Sequence, residues 1–357
     1  MTAAAFFAKL AIPIVQSPMV GASSLAMAQA VARAGGVGFL AGGAMTGSDI
    51  EAEAKAFRAV GPAPFGVNLF INNPVSPAAS VVDAAIDRLR PWYEAIGAPP
   101  PAPPNTFAPD FEDQFAGLLH AAPPLASFTF ACLPAEKVAA LKAAGCLVVG
   151  TATTVEEAKA WAAVGADAIS AQGSEAGGHR GHFLAETSAS LVGTMALVGD
   201  IRRALDLPVL AAGGIMDGRG VAAALALGAA AAQMGTAFLL ADEAVTNKPW
   251  RRAIETAPED PTRLTRAFTG RHARGIENRF MREMRAVEDE VPAYPVQNRL
   301  TGELRAAAIR ADEPDMTSLW AGQGVKQAGH GSAEEMVRRW WSEAKVAARQ
   351  VAERTSR

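Results

Sequence analysis

Missing residues narrow the function of this chain before any motif does. Its 357 residues include only two cysteines, Cys132 and Cys146. Two thiols build no disulfide framework and have no paired metal-ligand spacing, so buried, inert thiols in a reducing cytoplasm are expected. Excess positive charge is absent too. With 33 Lys and Arg against 36 Asp and Glu, the formal net charge is -3, which excludes the basic surface that nucleic acid requires. A membrane span is likewise missing. Residues 221–241 carry no charge and would match a bilayer in length, but they are alanine-rich and interrupted by Gly228, Gln233 and Gly235. A buried helix followed by a buried strand is expected there. The apolar start of the chain holds Lys9 and runs into Pro13 and Gln16 without a convincing cleavage signal.

A hydrophobic content of 50% supplies the core of one large α/β domain with an appendage. Short apolar runs recur at 12–16, 37–41, 65–69, 127–131, 147–150, 168–171, 209–212 and 231–234. Eight such strands close a (β/α)8 TIM barrel. Helical spacing of apolar residues over 24–34, 135–144, 155–164 and 218–227 supplies intervening helices, with Gly35, Gly145, Gly165 and Gly228 as stops. Two regions break this rhythm. Residues 72–124 are too long for an ordinary connection and contain the proline cluster 99–104, while the chain after 241 turns charged and Arg-rich. The expected division is therefore a barrel from 1–71 and 125–241, and a mainly helical lid or substrate domain from 72–124 and 242–357.

The run QGSEAGGHRG at 172–181 sets His179 on a Gly-rich turn directly after a core strand, at the end where parallel α/β folds keep their sites. His182 and Glu175 flank it, but glycines at 177, 178 and 181 make the segment a loop, which argues against helix-spaced metal ligands. Gly213 and Gly214 follow the seventh strand, and Gln233, Met234, Gly235 and Thr236 end the eighth. Loops after those two strands commonly hold phosphate, because glycine lets backbone N–H groups approach its oxygens. The turn from Gln16 through Pro18 and Met19 suits a planar cofactor, and Asn68 a ring edge or a phosphate. Residues 36–41 fit a dinucleotide pattern on paper but lie within a strand, so that reading is rejected. Cys132 falls just past the fourth strand, near the site. His120, His272 and His330 receive no role.

Taken together, QSPM at 16–19, AGGVG at 34–38, FGVN at 65–68, the 172–181 run with Phe183, AGG at 212–214 and QMGT at 233–236 resemble the nitronate monooxygenase family, formerly called 2-nitropropane dioxygenases. EAGGHRG at 175–181 looks like the class I members. Thr269 to Arg271, Phe280, Tyr294-Pro295 and WAGQG at 320–324 agree less distinctly, and the tail departs from the family pattern at His272 and 297–299. The resemblance implies a TIM-barrel flavoprotein with non-covalent FMN. Pro18, Met19, Asn68, Gln172, Gly177, Gly213, Gly214 and Gln233 through Thr236 would bind it, and His179 would be catalytic. It also implies that O2 oxidises an alkyl nitronate, such as propionate 3-nitronate, to a carbonyl compound and nitrite. The partners implied are a small nitronate or nitroalkane and O2, with room for a homodimer and with neither nucleic acid nor membrane. The nearest rival is an NAD(P)H-dependent FMN reductase of enoyl-thioesters or quinones on the same barrel. A flavin-free barrel aldolase or isomerase would need a Schiff-base lysine or a carboxylate base at a strand end, and neither is evident.

Overall fold

The computed structural model of the protein describes residues 1–356; Arg357, the last residue of the expected lid range, lies outside them. Eight parallel strands form the barrel: β1 (Ile14–Gln16), β2 (Gly38–Ala41), β3 (Phe65–Phe70), β4 (Leu125–Thr129), β5 (Leu147–Ala152), β6 (Ala168–Gln172), β8 (Val209–Ala212) and β9 (Ala231–Met234). A two-residue strand, β7 (Gly178–His179), lies outside it. The order is β1-β9-β8-β6-β5-β4-β3-β2. The seam closes where Val15 bridges Val37, and the Gln16 N–H donates to the Val37 carbonyl at 2.9 Å.

Side chains alternate along each strand, so the inner face reads in steps of two. Val15, Phe39, Leu125, Val149, Leu210 and Ala231 pack inside the barrel against Phe6 and Phe7 of the first helix, Ala3–Ala8. The apolar start of the chain thus plugs the barrel's N-terminal end. Two residues further along the strands the inner positions become polar, with Asn68, Ser127, Thr151, Ser170 and Gln233 lining a cavity. Outward positions such as Val67, Ala126, Ile169 and Ala211 join Leu118, Trp161, Val198 and Val221 of the surrounding helices in the main core.

Side chains at the helix starts fix the helical boundaries. Ser24, Thr154 and Asp217 accept from the backbone N–H groups of Met27, Glu157 and Gly220, satisfying donors a helix leaves open. Two barrel helices escaped the periodicity reading, Gly47–Arg58 and Thr194–Ala204. The first buries Gly47, Ile50, Ala54 and Phe57, and the second Thr194, Leu197, Val198 and Ile201. The fourth strand lies two residues earlier than expected, because Leu125 pairs with Leu147 and Gly66, and Phe130 leaves the sheet at φ +87°.

The insertion helix Ala79–Ala95 and the tail share a second hydrophobic cluster, in which Trp92, Phe268, Phe280, Met284 and Leu304 meet. The buried Tyr93 hydroxyl donates to the Leu300 carbonyl at 2.6 Å and accepts from the Leu304 N–H at 3.1 Å. Two segments of the expected lid ranges depart from this cluster. Helix Phe111–Ala121 places Phe115, Leu118 and Ala121 in the barrel core. Helix Ala333–Thr355 does the same with Met336, Val337 and Trp340, and Glu343 accepts from the Gly218 N–H at 3.0 Å. Both helices follow their apolar faces onto the barrel, so the ranges 72–124 and 242–357 are too wide for one lid.

The tail also contains strands that its charged composition concealed. β10 (Thr262–Thr265) pairs antiparallel with β11 (Ala273–Ile276), and β11 pairs with β7 through Ala273 to His179 and Arg274 to Gly178. The segment expected as a flexible turn is therefore held as an edge strand by the tail. Among the described residues no helix is long and apolar enough to cross a membrane.

Candidate active site

A cavity of about 870 Å³ opens at the C-terminal end of the barrel, within the range of small-molecule and cofactor sites. His179, Pro18, Met19, Asn68, Gln172, Gly177, Gly213, Gly214, Gln233, Gly235 and Thr236 all line it. Met234 does not, because its side chain points outward into the main core; its carbonyl instead accepts from the Ser17 N–H at 2.8 Å. Cys132 is not among the lining residues either, and burial raises its thiol to a pKa of about 11. Cys146 is buried and raised to about 11.

The barrel side of the cavity is built from backbone and from paired polar side chains. Gly213 turns the chain after β8 at φ +127°, where a Cβ would lie 2.7 Å from Thr194 Oγ1. Gly177 faces the tail so closely that its Cβ would be 2.5 Å from the Gly322 nitrogen. Gly322 in turn donates to Thr236 Oγ1 at 2.9 Å, so the tail completes the cradle. The N–H groups of Gly214, Gly235 and Thr236 have no backbone acceptor among the described residues. Such a nest of open N–H groups suits an anion. Deeper in, the Ser170 hydroxyl donates to Gln233 Oε1 at 2.8 Å, which leaves the Gln233 amide nitrogen as a donor. The Asn68 amide nitrogen donates to Ser127 Oγ at 2.9 Å, which leaves its oxygen as an acceptor.

Gln172 does something the sequence did not suggest. Its amide nitrogen donates to the His179 carbonyl at 2.9 Å and its oxygen accepts from the Gly181 N–H at 2.8 Å. Both ends pin the segment that carries His179. Arg180, fully buried, reinforces the hold by donating to the carbonyls of Gly173, Gln172 and Ser190 at 2.6, 3.1 and 2.7 Å. The Glu175 carboxylate accepts from the Thr194 N–H and hydroxyl, fixing the other side of the loop on helix Thr194–Ala204.

His179 stands in a ring of aromatic side chains, with Phe130, Tyr294 and Trp320 centred 5.6, 5.6 and 5.7 Å from it. Burial, and then the cations of Arg271 and Arg305, lower its pKa to about 3. The imidazole is thus neutral at physiological pH. Its Nε2 lies 3.0 Å from Thr269 Oγ1, and that hydroxyl also lies 3.0 Å from the Arg271 carbonyl. One hydroxyl hydrogen faces two acceptors. Donated to Arg271, it requires Nε2 to carry the proton and leaves Nδ1 as a base. Donated to Nε2, it makes Nδ1 a donor. Arg271 covers the Phe130 ring at 4.3 Å and donates to the Arg180 carbonyl at 3.0 Å, locking the tail to the His179 strand. His182 and His272 face away, sharing the Thr187 hydroxyl at 3.1 and 2.9 Å.

Residue types, strand-end positions and this histidine describe an enzyme site, and comparison with known proteins identifies the family. A family model described as nitronate monooxygenase matches residues 3–342. The chain belongs to the nitronate monooxygenase family. A probable nitronate monooxygenase from Staphylococcus aureus (strain Newman) is 38% identical over 317 residues, covering 88% of this chain and 89% of the relative. Another from Staphylococcus saprophyticus is 38% identical over 328 residues, covering 91% and 92%. Among solved structures, nitroalkane oxidase from Streptomyces ansochromogenes superimposes with a TM-score of 0.88 at 41% identity, covering 96% of this chain and 99% of that one. FabK from Thermotoga maritima gives a TM-score of 0.76 at 28% identity, covering 99% of both. The protein is accordingly an oxidoreductase of this family.

Sequence reasoning missed Ser127, Thr151 and Ser170 on the inner wall and gave no role to Thr269, Trp320 or Arg305. Ser127 and Ser170 were detectable as polar residues within the apolar runs 127–131 and 168–171, and Thr151 directly follows the run 147–150. The others depend on tail docking, with His179 and Thr269 90 residues apart.

Proposed function

We propose that this enzyme oxidises alkyl nitronates with O2 to a carbonyl compound and nitrite, using FMN bound in the barrel cavity. The observation that carries the reading is a neutral His179, ringed by aromatic side chains, beside a cradle of open N–H groups on a barrel whose family is nitronate monooxygenase. The residues fit the cofactor. Gly213, Gly214, Gly235 and Thr236 would hold the phosphate through backbone N–H groups, while Gly177 and Gly322 keep the cradle open where a Cβ would close it. Asn68 and Gln233 offer one acceptor and one donor to a polar ring edge, and Pro18 and Met19 would lie along the ring.

When bound, FMN supplies an acceptor for an electron from the nitronate and a centre that O2 reoxidises. This chain's own residues position the substrate and manage its charge. With Nδ1 as a donor, His179 would hold an anionic nitro oxygen. With Nδ1 as a base, it would take the α-proton of a neutral nitroalkane, and Thr269 selects between the two states by rotating one hydroxyl. Phe130, Tyr294 and Trp320 exclude water from the reacting atoms.

The test is the visible spectrum of the purified, flavin-loaded protein under anaerobic conditions. Propionate 3-nitronate should bleach the flavin bands and NADPH should not. Bleaching by NADPH alone would assign the protein to the NAD(P)H-dependent reductases instead.

A further inference from the structure

The cavity contains no acid. Among the described residues its only charged lining side chains are Arg299 and Arg305, and neither forms a salt bridge there. Arg299 is exposed at the rim. Arg305 reaches inward from helix Gly302–Arg310, and local carbonyls orient its guanidinium. Nε donates to the Thr301 carbonyl at 3.3 Å, and one terminal nitrogen, Nη2, donates to the Asn298 carbonyl and Oδ1 at 2.8 and 2.9 Å. The other terminal nitrogen, Nη1, has no hydrogen-bond partner among the described residues. Asn298 and Thr301 thus fix the side chain and leave one terminal nitrogen of a cation open to the cavity.

A cation enclosed without a counter-charge is costly, and a ligand that brings the opposite charge recovers that cost. The cofactor's phosphate is not that ligand in our reading, because the strand-end N–H cradle already suits it. Arg305 instead lines the same cavity as His179 and Tyr294, and its charge lowers the proton affinity of both. It therefore faces the reacting end. The open Nη1, with two N–H groups on a cation, can donate to one carboxylate, whereas a phosphate dianion would call for further donors beside it.

We propose that Arg305 is the substrate anchor, binding a carboxylate at the far end of a short nitronate and making the enzyme selective for nitronates with a second negative charge. This inference rests on the nitronate reading for the identity of the reacting group but not for the carboxylate. Arg305 acts on KM and leaves the chemical step to His179 and the cofactor. Arg299 at the rim adds attraction for anions entering the cavity.

The experiment compares propionate 3-nitronate with propane 1-nitronate, which lacks the carboxylate, in wild-type, Arg305→Gln and Arg305→Lys holoenzymes. Arg305→Gln should raise KM for the carboxylated substrate about ten- to hundredfold, with kcat within about twofold and the neutral-tailed substrate nearly unaffected. Arg305→Lys keeps the charge but loses the bonds to Asn298 and Thr301 that hold it in place, and should recover part of the preference. An equal change for both substrates in both variants would overturn the anchor and reduce Arg305 to a prop for its helix. A second readout needs no turnover: the affinity of each holoenzyme for 3-nitropropionate, measured anaerobically by calorimetry. A loss of about tenfold or more in Arg305→Gln supports the anchor even if no nitronate is oxidised, the result that would sink the proposed reaction alone. Unchanged affinity overturns the anchor whatever the reaction proves to be.

Discussion

At the barrel end of the cavity a ligand would face mostly backbone, with glycine turns at 213–214 and 235 and polar side chains partly committed to one another. At the other end it would face mobile-length side chains, namely His179, Tyr294, Trp320 and Arg305. Three of those four come from the tail, and His179 itself sits on a strand that the tail pairs. The contrast separates two tasks. Backbone cannot be varied by substitution except where glycine is lost, which suits a fixed cofactor cradle. Side chains can be exchanged without rebuilding the barrel, which suits substrate choice.

Removing the His179 imidazole should give the largest effect and the sharpest form of this contrast. His179→Asn should lower kcat with propionate 3-nitronate by about 10²- to 10⁴-fold while the purified protein keeps its flavin. Near-normal turnover, or loss of flavin with turnover, would show that the two ends are not separable. The opposite end breaks in the opposite way. Gly177→Ala places a Cβ 2.5 Å from backbone atoms of Ala321 and Gly322, so the tail loop must shift. At about 1 to 3 kcal/mol of strain, FMN affinity should fall roughly ten- to hundredfold, read by fluorescence as flavin is released. Restoring saturating FMN should then recover much of the turnover, and failure to do so would mean that Gly177 also shapes the substrate end.

The barrel end was legible in the sequence because its signals are local. Gly213 and Gly214 follow an apolar run directly, and the fold needs them there, since one is at φ +127° and the other at +71°. The tail end was legible only through resemblance. Thr269 meets His179 because β11 pairs with β7, a contact across 90 residues that no periodicity announces. β11 itself reads ARGI, too polar to stand out in an Arg-rich stretch. Gln172 shows a third kind of limit. Its position in the cavity was foreseen, but its amide nitrogen donates to the His179 carbonyl and its oxygen accepts from the Gly181 N–H, so it holds the His179 strand as well as lining the cavity. Residue type and place were readable, but the partner was not.

Gln172 therefore joins the two ends and gives a smaller effect than either. Gln172→Met keeps the volume and removes two hydrogen bonds worth about 1 kcal/mol each. The His179 strand should loosen, with kcat falling roughly tenfold and FMN affinity changing less than threefold. A larger change in FMN affinity than in kcat would reverse the assignment and make Gln172 chiefly a cofactor ligand.

The smallest effect is a pH response at the seam between tail and barrel. Burial is the first cause that holds His179 near a pKa of 3, His182 near 4 and His272 below its ordinary value, while each titrates near 6.5 when unfolded. As pH falls from about 6.5 towards 4, the unfolded chain takes up protons that the folded chain refuses, so stability is lost on acidification. His182 and His272 share Thr187 where the tail meets the His179 strand, so the loss acts on the docked tail. Tm should drop by about 2 to 8 °C between pH 7 and pH 5, and His182→Asn should flatten that drop. Turnover of the folded enzyme should show no histidine limb over the same range, because His179 stays neutral throughout. A histidine limb in kcat/KM near pH 6.5 that disappears in His179→Asn would instead mean that the tail opens in solution and exposes the imidazole to water, ending the separation of a fixed cradle from a closed substrate end.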